Sequence, residues 1–204
     1  MPSEPPLILA FDTSAAHCAA ALLSGDRVVA SAQESMTKGQ AERLMGLCSD
    51  LVEQSGHRFC DLDAVGVGVG PGNFTGIRIS VSAARGLAMG LGIPAVGINA
   101  FDALRYGTSG PCQCVVDARR NQVYVQQFSD AGAVPPLVCS AQDLAGSDGP
   151  IIGTGGRLPD HPTAIAIAHL TARRYRHAPP RPAPLYLRPA DAAPARDTPP
   201  VILK

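Results

Sequence analysis

The apolar and polar positions of the chain change rhythm several times along its 204 residues. Leu7 to Phe11 is an unbroken apolar run, the pattern of a buried strand, and Asp12-Thr13-Ser14 is a turn at its end. His17 to Leu23 follows, then the turn Ser24-Gly25-Asp26, then Arg27 to Ala32. This reads as three antiparallel strands joined by short turns. From Gly39 to Gln54 the apolar positions Leu44, Leu47, Cys48, Leu51 and Val52 recur at helical spacing, with Gly56 as the stop. Ala64 to Val69 is a small-residue strand that ends in Gly70-Pro71-Gly72-Asn73. A second helix is predicted from Thr75 to Met89, closed by Gly90 and Gly92, and Ile93 to Ile98 forms another strand.

The second half of the chain restates the first. Gln113-Cys-Val-Val-Asp117 repeats the order of Ile8-Leu-Ala-Phe-Asp12, and Val123 to Ser129 repeats Cys18 to Ser24 at the same offsets from the aspartate. The chain therefore reads as two related lobes, each opening with strand, Asp turn, strand, turn and strand. Beyond Ser129 the pattern thins. Asp143-Leu-Ala145 points to a short helical piece, Pro150 to Gly156 to a strand entering a glycine turn, and Thr163 to Arg174 to one helix. Between Ala178 and Pro200 eight prolines leave little room for regular structure apart from Leu185 to Arg188.

Charge sharpens this division. The formal net charge is zero, yet residues 1–154 carry 9 basic and 14 acidic side chains and residues 155–204 carry 8 and 3. A basic end can serve phosphate or an acidic partner, or be a solvated tail. No stretch approaches the ~20 apolar residues of a membrane span, and the start has no basic n-region, so a cytoplasmic protein without membrane contact is expected. The six cysteines form no C-x-x-C pair, and reduced buried thiols are expected.

Candidate chemistry is sparse. Asp12 at a strand end, followed by Thr13 and Ser14, can orient a metal ion and a phosphate; equally, it can close the hairpin as an Asx turn. Asp117, followed by Ala118-Arg119-Arg120, favours the turn. Gly70 to Arg78 joins a strand to a helix, where free N–H groups can bind an anion, but it is neither a dinucleotide fingerprint nor a P-loop. Its glycines also permit close backbone approach. The five histidines form no metal-binding pair, so no metal site and no catalytic residue is assigned. The helices at 39–54 and 75–89 are apolar on most sides, and such helices are buried either in a core or by a partner. Arg78 and Arg85 can punctuate an interface there.

Ile8 to Ser14, Ala41-Glu-Arg-Leu44, Gly70-Pro-Gly-Asn-Phe-Thr-Gly-Ile-Arg78, Gly86 to Pro94 and Asp117 to Tyr124 together resemble the bacterial TsaB (YeaZ) family. The resemblance covers roughly residues 7–128; afterwards only Pro184-Leu-Tyr-Leu-Arg188 is similar. It implies an α/β fold with the two lobes of the actin, sugar kinase and Hsp70 superfamily, built from duplicated ribonuclease-H-like halves, with the second lobe shortened here. It also implies a non-catalytic subunit of the complex that makes N6-threonylcarbamoyladenosine at position 37 of tRNA. Such a subunit pairs with the catalytic TsaD, recruits the ATPase TsaE and meets tRNA through the complex. The H-x-x-x-H metal motif of TsaD has no counterpart in Asn99 to Leu104.

These readings give a first lobe at 1–104, a shortened second lobe at 105–177 and a Pro-rich segment at 178–204. Partner binding is expected at Leu44, Leu47, Leu51, Gly70, Gly72, Phe74, Thr75, Arg78, Ala84 and Arg85, with self-pairing as the alternative when the chain is alone. Phosphate or nucleotide contact is expected, if anywhere, at Asp12, Thr13 and Ser14, with ATP or ADP at the complex interface rather than as an intrinsic cofactor. The competing function is a small ATP-dependent phosphotransferase that uses Asp12.

Overall fold

A computed structural model describes residues 5–144 and 149–188. The expected Pro-rich segment is therefore described only as far as Arg188.

The first lobe is built on β1 (Leu7–Asp12), β2 (His17–Ser24), β3 (Arg27–Ser35), β4 (Ala64–Gly68) and β5 (Ala95–Ile98), in the sheet order β3-β2-β1-β4-β5. β1 pairs antiparallel with β2 and parallel with β4, so it lies at the centre, and all six of its residues are buried. Strand alternation sorts its side chains. Leu7, Leu9 and Phe11, with Cys18, Ala20 and Leu22, meet α1 (Gln40–Gln54) and α2 (Phe74–Leu91). Ile8 and Ala10, with Ala19, Ala21 and Leu23, meet α4 (Thr163–Arg174) on the opposite side.

The α4 face is paved with alanine, and so is the helix that lies on it: Ala164, Ala166 and Ala168 surround Ile167. Gly66 completes the fit, because a Cβ there would lie 2.3 Å from Thr171 Oγ1. The helix at 163–174 falls inside the expected second lobe but packs on the sheet of the first, since its small-residue stripe matches that sheet's flat face.

The second sheet runs β10-β6-β7-β8, from β6 (Cys112–Asp117), β7 (Gln122–Ser129), β8 (Gly132–Ala133), β9 (Leu137–Ser140, also paired with β7) and β10 (Ile151–Gly153). Its core is smaller. Phe101, from α3 (Ala100–Arg105), packs with Cys112, Cys114, Tyr124 and Phe128. The whole is an α/β fold of two lobes, each built on its own sheet, with the second lobe reduced.

The repeat holds in topology but slips in detail. Asp12 stands opposite Ala19, whereas Asp117 stands opposite Val123. The second hairpin therefore closes one residue earlier than the first, and the offsets from the aspartate differ by one. The short α3 escapes the sequence pattern. Its start is fixed by Asn99, whose Oδ1 accepts from the Asp102 N–H at 2.8 Å.

Candidate functional site

A cleft of about 830 Å³ separates the lobes, and the two Asp turns face each other across it. On the first-lobe side the strand-end turn is packed against the glycine loop. Ser14 C=O accepts from Asn73 N–H at 2.6 Å, and Thr13 Oγ1 donates to Gly76 C=O at 2.7 Å. A Cβ at Gly72 would fall 2.4 Å from Ser14 O, and one at Gly76 would fall 1.9 Å from Thr13 O. The glycines of this loop are thus required for backbone-to-backbone approach. Asn73 caps α2, its Oδ1 accepting from Gly76 N–H at 3.0 Å.

Asp12 is only 2% exposed. Its Oδ2 accepts from Ser14 N–H and Ser14 Oγ, both at 3.0 Å, and lies 2.8 Å from His17 Nε2. The carboxylate that sequence pattern offers to a metal or phosphate is held by its own turn and by a histidine that sequence spacing left unassigned. Asp12 and Ser14 do line the cleft, but their polar atoms answer one another, while Thr13 is fully buried beneath it with its hydroxyl on the glycine loop. Among the described residues, no three His, Cys, Asp or Glu side chains converge on a metal-sized point.

The facing turn of the second lobe has a different chemistry. Arg119, Arg120 and Asn121 are three successive non-glycine residues with φ of 60°, 53° and 57°. L-residues visit this left-handed region at a cost of about 1–2 kcal/mol each. Local bonds hold them there: Arg119 N–H donates to Asp117 Oδ1 at 3.0 Å, Ala118 N–H to Gln122 C=O at 2.9 Å and Gln122 N–H to Arg119 C=O at 3.0 Å. Arg188 Nη1 adds a bond to Ala118 C=O at 3.2 Å.

The segment 185–188 runs along the cleft and ties the lobes together. Leu185 packs into the first lobe's core and donates its N–H to Val69 C=O at 2.8 Å, while Leu187 packs into the second. Tyr186 stacks on Phe74 with centroids 4.8 Å apart, and its hydroxyl accepts from Arg78 Nε at 3.0 Å. Phe74 and Arg78, expected to contact a partner, thus make an exposed cluster with this segment, with Arg78 3.9 Å above the Phe74 ring.

The other expected partner residues divide sharply. Leu44, Leu47 and Leu51 are buried against β1 and β2, Ala84 is 0% exposed, and Gly70 is buried. None of these five can touch another protein without unfolding the lobe, and Gly72 is spent on Ser14. Thr75, Arg78 and Arg85 are exposed. The apolar stripe read as an interface is the stripe that α1 and α2 turn to their own sheet. What faces outward is a second stripe: Arg78, Ser82, Arg85, Gly86 and Met89 on α2, and Glu42, Met45, Gly46 and Glu53 on α1. Met89 is 81% exposed and Met45 40%.

The chain as a whole is similar to known proteins. The profile of the family described as "TsaD: tRNA N6-adenosine threonylcarbamoyltransferase" matches residues 28–156. An uncharacterized protein of Mycobacterium tuberculosis is 32% identical over 211 residues, covering 92% of this chain and 94% of its own. The "tRNA threonylcarbamoyladenosine biosynthesis protein TsaB" of Escherichia coli is 32% identical over 126 residues, 59% of this chain and 54% of that one. The match to that relative therefore spans about half of its length. The fold is shared with the crystal structure of "an uncharacterized protein with similarity to peptidase YEAZ from Pseudomonas aeruginosa", at a TM-score of 0.73 and 24% identity, over 90% of this chain and 100% of that one.

Proposed function

The chain belongs to the TsaB (YeaZ) family, and from that premise we propose that it is a non-catalytic subunit in the biosynthesis of threonylcarbamoyladenosine in tRNA, pairing with a TsaD-like catalytic subunit and supporting a TsaE-like ATPase. One observation carries this reading: α1 and α2 each keep methionine and small residues exposed after their leucines have been spent on the core. Gly46, Ser82, Gly86 and Gly90 let another helix come close, and the flexible thioethers of Met45 and Met89 adapt to its contour. Arg78, Arg85, Glu42 and Glu53 rim the stripe with both signs of charge, which is the anatomy of a protein interface. A second copy of the chain competes for the same surface when the catalytic subunit is missing.

The test is co-purification with the TsaD-like subunit, together with mass spectrometry of threonylcarbamoyladenosine in bulk tRNA from depleted cells. Met89→Glu combined with Met45→Glu should lose the partner and fail to restore the modification while the chain stays folded. Undiminished co-purification would overturn the interface.

The cleft supports a second reading, a phosphotransferase or an interface site for ATP or ADP, because its volume and its facing Asp12 and Arg119 turns suit a nucleotide. Against it stands the occupation of Asp12 by Ser14 and His17. Micromolar ATP binding by calorimetry, lost in Asp12→Ala, would favour this reading over the first.

A further inference from the structure

At the end of α4, far from the α1–α2 stripe, the surface gathers arginine and aromatic side chains that neither role above uses. A shallow hollow of about 410 Å³ lies between α3 and the last turn of α4, and Arg105, Arg173 and Arg174 line it against a single acid, Asp102. Arg174 Nη2 reaches Asp102 Oδ2 at 2.9 Å, and among the described residues neither Arg105 nor Arg173 has an acid partner. Arg173 lies over the Tyr106 ring at 5.1 Å, and Arg105 over Phe128 at 4.7 Å. Arg105 Nε is buried and finds no hydrogen-bond acceptor among the described residues. One turn further on, Arg176 lies over Tyr175 at 5.3 Å.

From this arrangement we infer that the α3–α4 end of the molecule binds the phosphodiester backbone of RNA. Guanidinium groups held on aromatic rings are pre-oriented, and their planar forks fit phosphate oxygens. The positive charge owes little to His169. His169 stacks on Tyr106 at 5.3 Å, and burial, followed by the neighbouring His161, holds it below the usual imidazole range. Nearby acids are few: Asp160 is paired with Arg157, and Asp26 lies toward His169.

Arginines in the last turn of a helix also answer its free carbonyls. That explanation covers Arg173 and Arg174 on α4 and Arg105 in the last turn of α3; it does not account for two helix ends bringing their guanidinium groups to one hollow. Because α4 covers the face of the first sheet opposite α1 and α2, RNA here leaves the methionine stripe free for a protein partner.

The phosphate chemistry stands on these side chains alone; the choice of RNA rests on the proposed role in tRNA modification. The experiment is fluorescence anisotropy of the full chain with a labelled tRNA transcript between 50 and 200 mM salt. Each phosphate contact contributes about 0.7–0.9 to the slope of log affinity against log salt. Arg173→Glu with Arg176→Glu should therefore weaken binding by about tenfold or more and lower that slope by roughly 1–2. Arg173→Gln with Arg176→Gln keeps the test open should charge reversal disturb folding, and Arg58→Glu, on the other side of the sheet, should leave affinity unchanged. Failure of the wild-type chain to bind, equal binding by the double variants, or displacement of tRNA by millimolar inorganic phosphate alone would overturn the inference. None of these outcomes touches co-purification with the protein partner, so the two readings fail separately.

Discussion

Gly76→Ala and Gly86→Ala put the same methyl group on the same helix and should move stability in opposite directions. Both residues lie inside α2 with helical backbone, so each substitution gains roughly 0.5–1 kcal/mol from helix propensity. At Gly86 nothing stands within 4 Å of the added carbon, and the full gain should appear. At Gly76 the new carbon would lie 1.9 Å from Thr13 O and 2.9 Å from Thr13 C, both backbone atoms. Relief requires α2 to retreat from the Asp12 turn by about 1 Å or more, because real contacts of this kind start above 3.0 Å.

That retreat strains three bonds at once: Thr13 Oγ1 to Gly76 C=O, Asn73 N–H to Ser14 C=O, and the Asn73 cap on Gly76 N–H. At about 1 kcal/mol for each bond, and with overpacking of about 1–3 kcal/mol, the net loss after the propensity gain is roughly 3–5 kcal/mol. For a chain of this size that is a fall in Tm of roughly 10 °C. Urea and thermal unfolding followed by far-UV circular dichroism measure both variants. A Gly76→Ala chain as stable as wild type would refute the claim that this glycine exists for backbone approach.

Two further outcomes follow from burial. Ala84→Glu buries a carboxylate at a site with no exposure and should leave the chain unfolded or insoluble, whereas Met89→Glu should keep its Tm; size-exclusion chromatography and thermal melts separate the two. Among the thiols, exposed Cys60 should react with an aromatic disulfide reagent in seconds and the buried Cys18, Cys48, Cys112 and Cys114 only after unfolding. Burial pushes Cys18 up to about 11 and Cys48 up to about 12 from an ordinary 9.0. The folded chain therefore holds these protons more tightly than the unfolded one. Their contribution is intact below pH 9 and is lost as pH rises from 9 toward 12, so urea midpoints should fall across that window. A flat alkaline profile in the wild type, or an equal fall in Cys18→Ala with Cys48→Ala, would contradict the assignment.

Strands and helices of the first lobe were legible because each has one dominant rhythm. The unbroken run Leu7 to Phe11 marks a central strand buried on both faces, and the helix expected at Thr75 to Met89 falls within two residues of both observed ends of α2. What sequence could not supply was the destination of α4. Its alanine stripe fits any flat surface, and only the alanines of β1, β2 and β4 on one face of the first sheet decide which surface it takes. The one-residue slip between the repeated hairpins was hidden for a similar reason. Matching residue types at equal offsets says nothing about where a turn ends, and the turn after Asp117 spends three left-handed residues to close early.

Periodicity picked out α1 and α2 but not which of their sides lie outside the core. Both α1 and α2 are apolar on more than one side, and periodicity cannot say which side meets the chain's own sheet. Packing physics can. A strand face lined with Leu22, Phe11, Val65 and Val67 is filled best by branched side chains of fixed shape, and Leu44, Leu47, Leu51, Ile77 and Val81 are the ones it takes. Left over are the residues that fill a core poorly: thioethers, glycines and serines. A long exposed Met89 beside Gly86 and Gly90 is a cost to a solitary monomer, which gains nothing from it. The same set gives a second helix room to approach and two side chains to grip. The residues that announce a partner are thus those the core declines. Substitutions at Met45 and Met89 interrogate pairing, while those at Leu47 or Ala84 report only on folding.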